Sequence, residues 1–170
     1  MKIVRDISMP IRPEGDPMGQ NIGPGAWAER SNTPDLTIHG TPKIVPMAAA
    51  AGFSIASEDP DPRGMSVVGC DGKIGGTVTE VWVDRSEPQI RYLEVETVMT
   101  RRHVLLPIGF AKIKGSAGEV RVHAVAGHHF ERVPATTTPG VVTLREEDQI
   151  AGFYGGGFLY ADPSREEPMV

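Results

Sequence analysis

Seven prolines, Pro10, Pro13, Pro17, Pro24, Pro34, Pro42 and Pro46, decide what the first quarter of this chain can become. Each removes an amide donor and fixes its own φ, so no long helix can form there and any strand ladder is interrupted. The apolar residues of the stretch stand singly: Ile3, Ile11, Met18, Ile22, Trp27, Leu36, Ile38 and Ile44. That spacing describes an extended strap pinned by anchors to a surface, belonging either to this chain or to a partner. The whole chain holds 20 glycines and 15 prolines among 170 residues, well above the roughly 12% of an average protein, which excludes a helix bundle. A low-complexity chain is excluded too, because 39% of residues are apolar and they gather into strand-like runs.

After the turn cluster SEDPDPRG at 57–64, the period changes to two. Residues 66–68 form a short strand and 70–73 a turn. Residues 77–84 alternate Val78, Val81 and Val83 with polar positions around Trp82, and 91–98 alternate in the same way. Strand patterns follow at 103–113 and 119–125, separated by a Gly-Ser-Ala-Gly turn. Four or five strands joined by short turns predict a mainly β fold, a small antiparallel barrel or curved sheet. One helix is expected over about 144–154, opened by the capping box Thr143-x-x-Glu146 and stopped by Gly155-Gly156-Gly157, with a frayed polar tail beyond Tyr160. The chain thus divides into an arm (1–63), a barrel (64–134) and a C-terminal segment (135–170).

Charge and motifs remove several functions. The net charge of −5 opposes a life on nucleic-acid phosphates. The single cysteine, Cys70, rules out an internal disulfide and a thiol-rich zinc site, and points to a reducing compartment. The longest apolar run, 44–53, is about half of what a bilayer crossing needs. No phosphate loop, nucleotide fingerprint or nucleophile elbow is present. Cys70 with a histidine could make a thiol nucleophile, but a lone cysteine at a strand edge is ordinarily packing. His128 and His129, if extended, point to opposite faces and read as surface or interface residues rather than a metal pair. The acidic loop VDRSEPQIR holds Asp84 and Glu87 beside Arg85 and Arg91. Carboxylates among other charges can pass protons where a surface meets a partner, and the plain alternative is a solvated turn. Glu94 and Glu96, in phase on the next strand, either extend an acidic path or form the wet side of a sheet.

The ordered strings GPGAWAER (23–30), KIVPM (43–47), AAAGFSIA (49–56), DPRGMSVVGCDGKIGGTVTEVWVDRSEPQIRYLEVE (61–96), LLPIGFAKI (105–113) and VTLREEDQIAGFYGGGFLYADP (142–163) resemble the cytoplasmic part of the H subunit of the purple bacterial photosynthetic reaction centre. The resemblance implies a PRC-type barrel with an extended N-terminal arm and one C-terminal helix. It implies a non-enzymatic accessory subunit that caps the cytoplasmic face of the L and M subunits and helps conduct protons to the secondary quinone. By position, Glu87 corresponds to the family's proton-relay glutamate, Asp84 to the acid beside it, and Arg91 to their basic neighbour. His39 corresponds to one histidine of a surface cluster where protons enter. Thr37 and Thr41 stand where some members have a carboxylate and a second histidine, so no metal site is expected.

The resemblance further implies that this chain binds no cofactor. Bacteriochlorophyll, bacteriopheophytin, quinone and non-haem iron belong to the partner subunits. The expected partners are L and M, with the membrane surface met only through the complex, no nucleic acid, and a monomer or weak dimer when isolated. The expected location is the cytoplasmic face of the intracytoplasmic inner membrane. Family members begin with a membrane-spanning helix that this sequence does not show, and it reads as an excised soluble domain. The competing reading is a free-standing PRC-barrel adaptor in another assembly such as RNA processing.

Overall fold

The computed structural model describes residues 15–165; the anchors Ile3 and Ile11 and the last five residues of the polar tail lie outside them. Seven strands form one sheet: β1 (Ile44–Pro46), β2 (Ser66–Val68), β3 (Ile74–Asp84), β4 (Gln89–Thr97), β5 (His103–Pro107), β6 (Lys112–Lys114) and β7 (Glu119–Arg121). The hydrogen-bonded order is β5-β4-β3-β2-β7-β6. β1 pairs with the distal half of β3, Ile44 opposite Asp84 and Pro46 opposite Trp82, in line with β2 on the same edge. The outer strands β5 and β6 are not paired with each other, so the sheet curves without closing. One pairing departs from the antiparallel expectation: β2 and β7 run parallel, Val67 opposite Val120. The 103–113 strand is also broken, because Pro107 ends β5 and a 3-10 turn at Ile108–Phe110 carries the chain across to β6.

The long β3 and β4 form the spine. Their register shifts between Val78 and Glu80 and again between Trp82 and Val83. Such bulges twist the ribbon more strongly and re-aim side chains, and β1 covers the far end, so Val81, Trp82, Val83 and Asp84 are all buried in succession. Val67, Val78, Leu93, Val95, Leu106, Val120, Phe130, Ile150 and Tyr154 complete the core. Gly75 and Gly76 admit no side chain at this crossing: a Cβ on Gly75 would overlap the Phe130 ring, and one on Gly76 the Glu96 carbonyl.

Helix α1 (Leu144–Tyr160) starts as its capping box predicts, with Thr143 Oγ1 accepting from the Glu146 amide at 3.1 Å and Glu146 Oε2 from the Thr143 amide at 2.8 Å. The arm completes the cap. Thr33 and Ser31 carbonyls accept the Leu144 and Arg145 amides, satisfying donors that a helix start otherwise leaves to water. The glycine run expected to stop the helix lies inside it, because those glycines are where backbones approach. A Cβ on Gly155 would stand 2.8 Å from the Pro24 carbonyl, one on Gly156 3.1 Å from Gly25 Cα, and one on Gly157 would overlap the Ala124 carbonyl. The arm is therefore seated on this chain, with Met18, Ile44, Val45 and Met47 in the core, and its last part forms a true strand despite the prolines. The tail is tied down as far as Arg165, whose guanidinium donates to the His123, Ala124 and Gly157 carbonyls.

Candidate functional site

The turn that joins β3 to β4 collects the acidic residues singled out in the sequence. Asp84 ends β3 and is 3% exposed. Its Oδ1 accepts the Ser86 amide at 2.8 Å and the Glu87 amide at 3.1 Å, an aspartate turn that fixes the following loop. Its Oδ2 faces Arg91 Nη1 at 3.5 Å across the hairpin. Glu87 stands at the exposed tip, held by its backbone to Asp84. The structure thus brings Asp84, Glu87 and Arg91 together on one turn.

The neighbouring arm supplies a second layer of charge. Lys43, next to β1, pairs with Asp35 at 3.0 Å. That hydrogen bond and charge push the Lys43 ammonium above its ordinary range, with Asp84 and Glu87 adding to the effect, and hold the Asp35 carboxyl below its own. Arg85 locks the arm to the turn by donating from its guanidinium to the Pro42 carbonyl and from its amide to that of Lys43. His39 stands apart from the acidic turn's hydrogen bonds, on the exposed tip of the small hairpin closed by the Leu36–Pro42 bridge. There Thr37 and Thr41 hydroxyls bond each other at 2.9 Å. Leu36 and Ile38 on this tip are 50% and 96% exposed.

Sequence reasoning missed the inner end of the cluster. Glu147, in the acidic first turn of α1, turns inward from the helix. Its Oε1 accepts the Tyr92 hydroxyl at 2.8 Å and lies 3.4 Å from Arg91 Nη2. Burial pushes its carboxyl above the usual glutamate range, opposed by the Tyr92 hydrogen bond and Arg91. Burial, with the Glu147 charge and hydrogen bond, raises the Tyr92 phenol. The available signal was the tyrosine in an inward phase of β4, whose buried hydroxyl needs a partner. A continuous polar chain results: Asp84, Arg91, Glu147, Tyr92.

Other candidates resolve differently. Glu94 does not extend this chain; its Oε2 accepts the Trp82 indole N–H at 2.9 Å and its Oε1 faces His103 Nδ1 at 2.8 Å. Glu96 pairs with Arg101 at 2.8 Å. His128 and His129 lie in a 3-10 segment, Gly127–Arg132, not a strand, so their rings are 4.1 Å apart rather than on opposite faces. His129 is buried within the chain, contrary to its reading as a surface or interface residue. Its Nδ1 accepts the Ala126 amide at 3.0 Å. Burial, with smaller contributions from His128 and Arg132, lowers the imidazole to about 4. Among the described residues no group of three or more His, Cys, Asp or Glu side chains is placed to hold a metal ion, and no helix is long and apolar enough to cross a membrane.

A family model described as the PRC-barrel domain matches residues 55–128, the span that contains β2 to β7 and the acidic turn. The curved, open sheet is thus built on a PRC-barrel domain, against which α1 packs. A second model, described as the N-terminal region of the photosynthetic reaction centre H-chain, matches residues 1–49, the proline-rich arm. Arm and barrel in that order identify the chain as H-subunit-like, a photosynthetic reaction centre subunit.

Proposed function

We propose that this protein caps the cytoplasmic face of the L and M subunits and carries protons toward the secondary quinone through Glu87 and Asp84, with Arg91 as their counter-charge. The observation that carries the reading is the convergence of these three residues on one turn, in a chain whose arm and barrel match the H-chain and PRC-barrel families. Glu87 at the exposed tip takes or gives a proton. Asp84 holds the turn in shape through two backbone hydrogen bonds, and Arg91 balances the charge of the pair. Lys43 and Arg91 keep two carboxylates tolerable within one turn. His39, on the adjoining arm, is assigned to the outer side where protons enter. The exposed Leu36 and Ile38 beside it suit a face that meets another protein.

In this reading the division into arm (1–63), barrel (64–134) and C-terminal segment (135–170) is a functional one. The pigments, quinones and iron stay with the partner subunits, and this chain contributes no chemistry to them beyond protons and shelter from water. Replacing Glu87 by Gln in the full complex tests the route, because an amide of the same shape can neither hold nor release a proton there. Proton-coupled reduction of the secondary quinone should slow about a hundredfold or more, the lower end of what positioned proton-transfer groups contribute. A wild-type rate would remove Glu87 from the path.

A further inference from the structure

Glu147 is a buried acid that the proposed route does not use, and it shares Arg91 with one that it does. We propose that Glu147 is a positioning residue: by taking up or releasing a proton it decides whether Arg91 is divided between two carboxylates or given wholly to Asp84. The inference rests on the preceding reading for its use in proton delivery, but not for its geometry.

Arg91 Nη1 lies 3.5 Å from Asp84 Oδ2 and Nη2 3.4 Å from Glu147 Oε1. Both distances exceed the roughly 2.7–2.9 Å of a fully formed charge-assisted bond, so the guanidinium stands between two carboxylates and is captured by neither. Its side chain is 37% exposed, against 4% for Asp84 and 11% for Glu147, which leaves room to shift. The charged and titratable groups around Glu147 come from every neighbour: Arg91 and Tyr92 on β4, Arg30 and Asp35 on the arm, Asp148 on its own helix, and Asp84 through Arg91. When Glu147 binds a proton from solvent its pull on Arg91 ends, and the guanidinium closes on Asp84. When the proton returns to solvent, Arg91 is shared again. No other bond forms or breaks. Asp84 Oδ1 holds the Ser86 and Glu87 amides, so the change is felt at the loop that carries Glu87.

The test is a nuclear magnetic resonance titration of the full 170-residue chain over about pH 4 to 8, the span around an ordinary or raised glutamate. It follows Glu147 Cδ, Arg91 Nε and Tyr92 Cζ. The Arg91 and Tyr92 signals should step at the midpoint of Glu147, and Glu147→Gln, of equal size and uncharged, should abolish that step. Tyr92→Phe removes a donor that favours the carboxylate, so the Glu147 midpoint and the Arg91 step should rise together, by about one pH unit. An Arg91 signal with no step at that midpoint, a step that persists in Glu147→Gln, or one that stays put in Tyr92→Phe would overturn the proposal. These readouts need no reaction centre. An inert Glu87→Gln variant in the complex would therefore count against the proton route alone, and a missing Arg91 step against Glu147 alone.

Discussion

Replacing Gly157 by Ala opposes two effects whose sizes the structure lets one compare. In an exposed helix interior the change is favourable by roughly 1 kcal/mol, because alanine loses less backbone freedom on folding. Here the added Cβ would overlap the Ala124 carbonyl oxygen and stand 2.7 Å from Val125 Cγ1. The first obstacle is backbone just after β7, which cannot rotate away. The 17-residue helix would have to move off the sheet, and that loosens Ile150, Phe153 and Tyr154 from the core and disturbs the Arg165 bonds to the Ala124 and Gly157 carbonyls. Overpacking of this kind costs about 1–3 kcal/mol or more, and against rigid backbone the upper part of that range applies. The net loss is about 2 kcal/mol after the propensity gain, or a fall in Tm of roughly 4–8 °C for a chain of this size. Thermal unfolding followed by circular dichroism reads it directly. Gly156→Ala is the internal comparison: its Cβ would meet Gly25 Cα at 3.1 Å, an approach the arm can relieve by a few tenths of an ångström, so its loss should be smaller. A Gly157→Ala protein as stable as the parent, or more so, would refute the idea that the glycine run exists for close approach.

His129 ties stability to acid. Its folded-state value is depressed to about 4 from an ordinary 6.5, so its contribution is fully present above pH 6.5 and lost as pH falls toward 4. The loss is on the order of 2 kcal/mol after allowance for partial wetting. Glu147, raised by burial, acts in the opposite sense, favouring the fold at low pH and losing that contribution as pH rises through its folded-state value. Comparing urea midpoints of the parent and His129→Gln at pH 7 and 4.5 isolates the histidine, since only the parent should show its share of the drop. Thr143→Ala removes the helix cap and the hydroxyl bond to Asn32, and should cost about 1 kcal/mol in the same assay; no loss would mean that the arm carbonyls alone cap the helix.

Much of the β architecture was legible because its signals are local. Alternation placed β3 and β4, and Thr143 with Glu146 placed the first turn of α1. Failures came where distant backbone decides. Gly155, Gly156 and Gly157 look like a stop signal until Pro24, Gly25 and Ala124 are seen against them. The parallel pairing of β2 with β7 joins segments about fifty residues apart and leaves no periodic trace. The histidine pair was misplaced because an extended segment was assumed where a 3-10 turn stands. At the site, Asp84, Glu87 and Arg91 were visible because one hairpin carries them all. Glu147 was not, because only tertiary packing brings the helix start to Tyr92.

The central claim, that this chain works as the cytoplasmic cap of a reaction centre, meets its most direct test in a reaction centre stripped of its H subunit. Titrating the chain into that L/M core and following proton uptake on formation of the reduced secondary quinone should show saturable binding with recovery of uptake and of quinone retention. A chain that fails to bind, or that binds and restores neither, would contradict the account.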